Sequence, residues 1–309
     1  MTWAKLDQVE SRPRLREDHT WTVDPTAHVG YVFGGRDGNR SFDDLWAFDL
    51  ATDTWEALEP DGDRPPARFG HEAAWVDGVG LVVFAGQADA STFFNDLWAY
   101  DAEAGQWSEL PSDGAVPIPR YGTCSRVDPG GRLWISHGFT EDRARFADTR
   151  VYDFEAGTWE DVTPEGPLPV ERCLHGCWWT PTGSLALYAG QTTGVEALGD
   201  LWLLEGAGSS VAKWSESAVA LPPERNLYAY AAVGDDILVF GGRGDGRFRD
   251  DLWRFLDGLS PEAVEVEGGP PPGRSGATLI DDPLGGRLLL FGGKNGDGAL
   301  GDLWALEPG

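Results

Sequence analysis

Six arginines recur along the chain at nearly equal spacing, and together they could bind an anion. They are Arg16, Arg68, Arg120, Arg172, Arg225 and Arg274. A guanidinium group presents a planar fork of N–H donors that holds a carboxylate or phosphate through two parallel hydrogen bonds. If the six side chains converged on one point, they would form a positively charged pocket in an otherwise acidic protein.

A second recurring set could add to this pocket. One position follows a pair of small residues in each unit, and it is occupied by Arg36, Gln87, Phe139, Gln191, Arg243 and Lys294. Aromatic residues lie close in sequence to both sets, namely Phe69, Tyr121, Tyr228, Phe93, Phe94, Phe146 and Phe248. Aromatic side chains beside arginine are frequent in recognition surfaces. The predicted ligand-binding residues are the six arginines with Arg36, Arg243, Tyr121, Tyr228 and Phe139.

The regular spacing also permits a purely structural interpretation of the arginines. Each guanidinium group could instead bond to loop carbonyls or to a neighbouring repeat. The sequence leaves both interpretations open.

The elements that position these residues form a repeat. A small pair returns every 51 or 52 residues, at Gly34-Gly35, Ala85-Gly86, His137-Gly138, Ala189-Gly190, Gly241-Gly242 and Gly292-Gly293. Each unit begins with an arginine, which is followed by an apolar strand that ends in the small pair. An Asp-Leu-Trp strand comes next, and then a second Trp. The 309 residues hold six such lengths. A fixed period that fits a whole number of times predicts a closed repeat architecture.

The units also differ in informative ways. The third reads Asp148-Thr149-Arg150 where the others read Asp-Leu-Trp, and Val264 takes the place of the second Trp in the fifth. The last unit ends before its second Trp, while residues 2–6 match the segment around Trp55. We therefore expect the N-terminal strand to complete the last sheet and to remove an exposed edge.

The double glycine, the Asp-Leu-Trp strand and the spaced Trp resemble the kelch repeat over essentially the whole chain. The resemblance implies an all-β fold, a six-bladed β-propeller with four antiparallel strands per blade. The expected blades within a single domain, residues 1–309, are 14–58, 66–110, 118–162, 170–217, 223–267, and 272–309 together with 1–8. Kelch propellers serve as peptide receptors, scaffolds and occasional enzymes, so the fold alone does not fix a function.

Composition narrows the range of partners. The net charge is −27, which favours a soluble protein, here expected to be a monomer, and disfavours nucleic acid or anionic membrane as partners. No run of 18 apolar residues and no leader-like segment is present, so a cytoplasmic location is the expectation.

The sequence predicts neither a metal site nor a cofactor. The odd number of cysteines, Cys124, Cys173 and Cys177, is interpreted as reduced thiols, because Cys173 and Cys177 on one strand would be too far apart for a disulfide. His19, His71 and His175 share one repeat position and are expected to pack between blades. The Asp-Gly loops are typical of turns rather than calcium sites.

These observations favour a binding module that recognises an anionic peptide or a small acidic ligand at an arginine-rich channel mouth. One alternative is a small-molecule enzyme that uses the same pocket. Kelch sialic-acid mutarotases resemble this architecture, and Glu17, Glu171 and Glu224 adjoin opening arginines and could act as acid and base. The Glu-x-x-x-Asp-x-x-x-His run of kelch iron-dependent proteins is missing, and six expected blades with scattered thiols disfavour a kelch radical-copper oxidase. A second alternative is a protein–protein scaffold.

Overall fold

The computed structural model describes residues 1–6, 11–38, 40–141, 144–194, 196–208 and 211–307. Within these residues the regular elements are all β-strands, and they form six four-stranded antiparallel sheets arranged as the blades of a propeller. None of the described segments is a helix long and apolar enough to span a membrane. The fold expected from the repeat is therefore confirmed.

The chain begins with one strand of the last blade and then builds the first three blades in order. The opening strand is β1 (Thr2–Lys5). Blade 1 contains β2 (Thr20–Asp24), β3 (Val29–Phe33), β6 (Leu45–Asp49) and β7 (Thr54–Leu58), with the short hairpin β4 (Arg36–Asp37) and β5 (Arg40–Ser41). Blade 2 contains β8 (Glu72–Val76), β9 (Gly80–Phe84), β12 (Leu97–Asp101) and β13 (Gln106–Glu109), with the hairpin β10 (Gln87–Asp89) and β11 (Thr92–Phe93). Blade 3 contains β15 (Cys124–Val127), β16 (Leu133–Phe139), β17 (Arg145–Asp153) and β18 (Thr158–Val162), joined at its outer edge by β14 (Asp113–Gly114).

The remaining three blades follow the same order from the channel outwards. Blade 4 contains β19 (Gly176–Trp179), β20 (Leu185–Gln191), β21 (Ala197–Glu205) and β22 (Lys213–Glu216). Blade 5 contains β23 (Ala229–Val233), β24 (Asp236–Phe240), β27 (Leu252–Leu256) and β28 (Ser260–Ala263), with the hairpin β25 (Arg243–Gly244) and β26 (Arg247–Phe248). Blade 6 contains β29 (Ser275–Asp282), β30 (Arg287–Asn295) and β32 (Leu303–Glu307), with β31 (Gly298–Ala299) paired to β30.

The fourth strand of blade 6 comes from the other end of the chain. Strand β1 pairs antiparallel with β32, so that Trp3 lies opposite Leu306 and Lys5 opposite Trp304. Trp3 is buried and contacts the ring of Phe240 in blade 5, with ring centroids 5.2 Å apart. The predicted closure by the N-terminal strand is confirmed.

The blades are also joined by a closed ring of backbone hydrogen bonds around the channel, here called the hydrogen-bond ring. Its members are Asp18, Gly70, Gly122, Leu174, Leu227 and Gly276, and each N–H donates to the carbonyl of the member in the preceding blade at 2.7–3.1 Å. All six residues have positive φ, between 52° and 65°. A second set of six bonds runs from the second residue of each small pair to the carbonyl of the opening arginine in the next blade, at 2.8–2.9 Å.

Backbone geometry explains why the second residue of each small pair is always glycine. At Gly35 φ is +90°, and an added Cβ would lie 2.8 Å from the carbonyl oxygen of Glu17 and 2.7 Å from the Cβ of His19. A side chain would therefore clash with the backbone that leads into β2 of the same blade.

The recurring tryptophans fill the spaces between blades. The second Trp of a unit packs against the phenylalanine that precedes the small pair of the preceding blade, as Trp107 does with Phe33 at 5.2 Å and Trp159 with Phe84 at 5.0 Å. Both tryptophans are buried. Aromatic pairs of this kind add stability beyond the area that they bury, and they hold each sheet against the next.

The expectation of three reduced thiols is wrong. Cys124 on β15 and Cys177 on β19 form a disulfide with a Cα–Cα distance of 5.9 Å, while Cys173 is free and buried. The two bonded cysteines lie 53 residues apart, about one repeat, so they occupy the innermost strands of neighbouring blades. The prediction considered only the distance between Cys173 and Cys177 along one strand, whereas the disulfide joins strands of two neighbouring blades.

Candidate functional site

The six opening arginines lie inside the blades. Each is at most 1% exposed, and each makes a two-pronged ion pair with the aspartate of the Asp-Leu-Trp position in its own unit. In blade 2, for example, Nη1 and Nη2 of Arg68 both lie 2.7 Å from the carboxylate oxygens of Asp96. Nη1 also donates to the carbonyl of Ala85, and Nε donates to that of Pro66.

The same contacts recur in every blade, so the guanidinium groups have no free face for a ligand. The pairs are Arg16–Asp44, Arg68–Asp96, Arg120–Asp148, Arg172–Asp200, Arg225–Asp251 and Arg274–Asp302. Phe94 and Phe146 stack on Arg68 and Arg120, at 4.2 and 4.4 Å from guanidinium carbon to ring centroid. The structure thus corrects the anion-pocket interpretation of these arginines, because carboxylates of the fold itself already occupy their donors.

The irregular third unit follows the same chemistry. In the other blades the indole N–H of the Asp-Leu-Trp tryptophan donates to the aspartate at 2.7–2.8 Å. In blade 3 Nε of Arg150 takes this role and lies 3.2 Å from Oδ2 of Asp148. Asp148 therefore holds two arginines, Arg120 and Arg150, where each other aspartate holds one arginine and one tryptophan.

The residues after the small pairs lie together around the channel mouth, and we call them the rim residues. Arg36, Gln87, Phe139, Gln191, Arg243 and Lys294 each pair antiparallel with the residue that follows the opening arginine of the same blade. Because those partners directly precede the members of the hydrogen-bond ring, the six rim residues surround the same axis. Arg243 is exposed, and the other five are partly buried.

Two of the three rim cations are held by carboxylates of blade 1. Arg36 lies 2.9 Å from Asp18 and 3.4 Å from Glu17, and Nζ of Lys294 lies 2.6 Å from Glu17. Burial raises the pKa of Asp18 to about 6, although the positive charge of Arg36 opposes the shift. Arg243 has no carboxylate partner among the described residues; its guanidinium carbon lies 5.6 Å from the ring centroid of Phe248.

A row of aromatic rings lines one side of the mouth. The ring centroids of Phe69 and Tyr121 are 5.7 Å apart, those of Tyr121 and Phe139 are 6.2 Å apart, and those of Phe139 and Phe93 are 5.9 Å apart. Phe93 and Phe139 are partly exposed. Cations lie over two of these rings: Arg36 is 4.1 Å from the centroid of Phe69 at one end of the row, and the buried Arg145 is 5.4 Å from that of Phe139.

Sequence reasoning missed Arg145 and misplaced Tyr228. Arg145 belongs to no recurring position, so the repeat gave no signal for it. Tyr228 is 6% exposed, and its hydroxyl donates to the carbonyl of Tyr188 and accepts from the N–H of Gly176. It therefore joins blades 4 and 5 within the channel wall, below the mouth.

A cavity of about 190 Å³ lies within the channel, and we call it the chamber. It extends from the hydrogen-bond ring along the innermost strands, and all six blades contribute to its wall. Its ionisable residues beyond the ring and the histidines are Glu72, Arg126, Tyr228 and Tyr230. The sequence offered a weak signal for the first two, since Glu72 and Arg126 are charged residues on otherwise apolar inner strands.

Glu72 is bound to the next blade. Its Oε2 accepts hydrogen bonds from the backbone N–H of Ser125 at 3.0 Å and from the hydroxyl of Ser125 at 3.1 Å. Burial raises the pKa of Glu72 to about 7, while Arg126 and the Ser125 bonds oppose the shift. The carboxyl group is therefore close to half protonated at neutral pH.

The repeated histidines are packed between blades, as the sequence predicted. Nε2 of His71 lies 2.9 Å from the hydroxyl of Thr20, and Nε2 of His19 lies 2.8 Å from that of Thr278. Burial lowers the pKa of His19, His71 and His175 well below the usual value, so all three are neutral. His137 is also buried, which lowers its pKa to about 3.

The described residues contain no cluster of three or more His, Cys, Asp or Glu side chains arranged for a metal ion. The glutamates considered for acid–base catalysis have different surroundings. Glu17 is held by Lys294 and Arg36, Glu171 is exposed, and Glu224 lies 4.0 Å from Arg249.

Comparisons with known proteins agree with this architecture. A family model described as the KLHDC2/KLHL20/DRC7 Kelch-repeats domain matches residues 1–182. Adagio-like protein 3 of Oryza sativa subsp. japonica is 28% identical over 288 residues, covering 86% of this chain and 44% of that protein. The Rab9 effector protein with kelch motifs of Xenopus laevis is 24% identical over 209 residues, covering 65% and 56%. Host cell factor 1 of Rattus norvegicus is 30% identical over 254 residues, covering 74% and 12%. The chain thus spans less than two thirds of each of these relatives.

Proposed function

Because this chain belongs to the kelch-repeat family, we propose that it is an interaction module that holds a segment of a partner protein at the channel mouth. One relative is by name an effector of Rab9, and another is by name a host cell factor. These names support a role in protein interaction. They supply neither the partner nor the place where it binds.

The observation that carries the proposal is the combination of aromatic rings and unpaired cations at the mouth. Phe93 and Phe139 offer partly exposed rings, and among the described residues neither Arg145 nor Arg243 forms an ion pair. Aromatic and arginine side chains are the commonest anchors of protein interfaces.

The matching partner segment is acidic and carries an apolar or aromatic side chain. Its carboxylates would bind Arg243 and Arg145, and its apolar side chain would lie on the row of rings. The proposal includes a monomeric protein, whose negative charge elsewhere repels nucleic acid and anionic membrane. A small acidic molecule held by the same two arginines is the alternative ligand.

The test is a binding screen with an immobilised peptide library. Each acidic peptide is accompanied by a matched variant in which Gln replaces Glu and Asn replaces Asp. We expect binding of acidic peptides that contain an aromatic residue, weakened about tenfold or more by Arg243→Ser or by Phe139→Ala. Lys5→Ser is the control, because it removes one exposed positive charge from the outer strand of blade 6. Equal weakening by Arg243→Ser and Lys5→Ser, with no effect of Phe139→Ala, would reduce the effect to net charge. Binding that no rim substitution alters would point to a scaffold that uses the blade edges.

A further inference from the structure

The chamber contains one positive charge, which opposes the rise in the pKa of Glu72 without forming an ion pair with it. Arg126 lines the cavity, and no carboxylate forms an ion pair with it in the part of the chain that the structure describes. Its Nη1 donates to the backbone carbonyl of Ser125 at 2.6 Å, and its guanidinium carbon lies 4.7 Å from the ring centroid of Tyr230. A partly buried cation is normally paired, so this arrangement favours an anion in the cavity.

Glu72, the carboxyl group in the wall of the chamber, can bind such an anion through a hydrogen bond when it is protonated. One oxygen of Glu72 is occupied by the two bonds from Ser125, whereas Oε1 makes no hydrogen bond to the described residues. Because burial keeps Glu72 largely protonated below neutral pH, the carboxyl group can donate a proton to a bound oxygen.

The volume of the chamber limits the size of its occupant. A cavity of about 190 Å³ has room for on the order of six water molecules, or for an organic anion of a few heavy atoms. Three members of the hydrogen-bond ring, Gly70, Gly122 and Gly276, place no side chain in the channel at that level. The chamber is lined by other polar groups as well, including the hydroxyl groups of Thr20 and Thr22.

We propose that the chamber is a binding site for a small monocarboxylate, with the Arg126 guanidinium as its counter-charge and the Glu72 carboxyl group as a hydrogen-bond donor. This site is separate from the mouth and does not depend on the partner proposed above. The recognised chemistry is one carboxylate with a short apolar remainder, which would contact Ala73 and Leu279 of the chamber wall.

Binding should depend on pH through Glu72. The ionisable groups that face it are Arg126 from β15, Tyr230 from β23 and His71 next to it in sequence. Tyr230 has a raised pKa and His71 a lowered one, so both stay neutral between pH 6 and 8, and Arg126 stays charged. Glu72 changes charge across that range, and its ionised form would repel the ligand. Asp18 of the hydrogen-bond ring also lines the chamber and, with a pKa of about 6, completes its ionisation in the lower part of the same range, beside the positive charge of Arg36.

The experiment titrates ¹³C-labelled acetate and propionate into the full chain at pH 6 and pH 8, with binding followed by NMR and calorimetry. We expect saturable binding at pH 6 that is about tenfold weaker at pH 8, because a group with a pKa near 7 loses about nine tenths of its protonated form over that range. Glu72→Gln should lose clearly less affinity between pH 6 and pH 8 than the wild type, because only Asp18 then still titrates in the chamber. Arg126→Met, which keeps the apolar stem, should weaken binding at least about tenfold.

Two controls make the result decisive. Arg254→Met removes an arginine paired with Asp236 on the outer part of blade 5 and should leave acetate binding unchanged. Arg243→Ser should also leave it unchanged, because that side chain lies at the mouth.

Loss of acetate binding in Arg243→Ser but not in Arg126→Met would place the anion at the mouth and overturn the chamber site. Absence of saturable binding at both pH values would overturn it as well. If Arg126→Met fails to fold, a Glu72→Gln variant that loses as much affinity between pH 6 and pH 8 as the wild type would contradict the proposal by itself.

Discussion

The backbone N–H of Asp18 donates to the carbonyl oxygen of Gly276 at 2.9 Å, and this bond closes the hydrogen-bond ring between blades 6 and 1. The same junction is closed a second time, since the N–H of Gly293 donates to the carbonyl of Arg16 at 2.8 Å. Within blade 6, strand β1 closes the sheet at its outer edge. The propeller is therefore held shut at the axis and at its circumference by different contacts.

The outer closure can be tested by removing its anchor. Trp3→Ala would leave a cavity against Phe240, and we expect the free energy of unfolding to fall by about 3–5 kcal/mol in urea denaturation. Deletion of residues 1–6 should lower the melting temperature further, because it also exposes the edge of β32. Lys5→Ala on the same strand is the control and should change little, since its side chain is exposed. An unchanged melting temperature in the deletion variant would contradict closure by β1.

The buried arginines should be structural, and blade 3 provides an internal comparison. Arg68→Met leaves Asp96 with only the indole of Trp98, so we expect a loss of about 3–5 kcal/mol in the free energy of unfolding. Arg120→Met should be less harmful, because Asp148 keeps the guanidinium of Arg150. Urea denaturation of both variants measures the difference. Equal losses would show that the second arginine does not compensate.

The disulfide between blades 3 and 4 should stabilise the fold. Cys177→Ser should lower the free energy of unfolding by about 2–4 kcal/mol, because the bond between Cys124 and Cys177 restricts the unfolded chain. Cys173→Ser is the matched control, since Cys173 is buried but free. Thiol titration of the protein unfolded without reductant should detect one cysteine, and after reduction all three. Three reactive thiols before reduction would rule out the disulfide.

The raised pKa of Glu72 predicts how stability changes with pH. The pKa is 4.5 for an ordinary glutamate and about 7 for Glu72 in the folded protein, so between these values the folded state binds more protons than the unfolded state. The contribution of Glu72 to the free energy of unfolding is therefore fully present below about pH 4.5, and it is lost as the pH rises towards 7. Glu72→Gln should remove this loss, so that the variant gains stability relative to the wild type between pH 5 and pH 8. The exposed Glu262→Gln is the control; if both variants run parallel to the wild type, the pKa of Glu72 is not raised.

The sequence predicted which residues lie near the channel mouth, but not the direction in which their side chains point. The repeat correctly grouped Arg36, Arg243 and Phe139 around the mouth, because equal positions in successive blades surround one axis. It could not distinguish an arginine that faces the channel from one that turns into its blade. The partner of each opening arginine, an aspartate 26 or 28 residues later, belongs to the same repeat, and a period alone does not show which recurring residues touch.

The sequence by itself determined the number of blades and the strand that completes the last one, because a constant spacing that fits six times admits few closed arrangements. Only the tertiary structure decided which side chains meet across the boundary between blades. The Cys124–Cys177 bond, the Glu72–Ser125 contact and the unpaired Arg126 all depend on the angle at which one innermost strand faces the next. That angle is set by the packing of whole sheets around the axis, a property of the assembled ring that no single repeat contains.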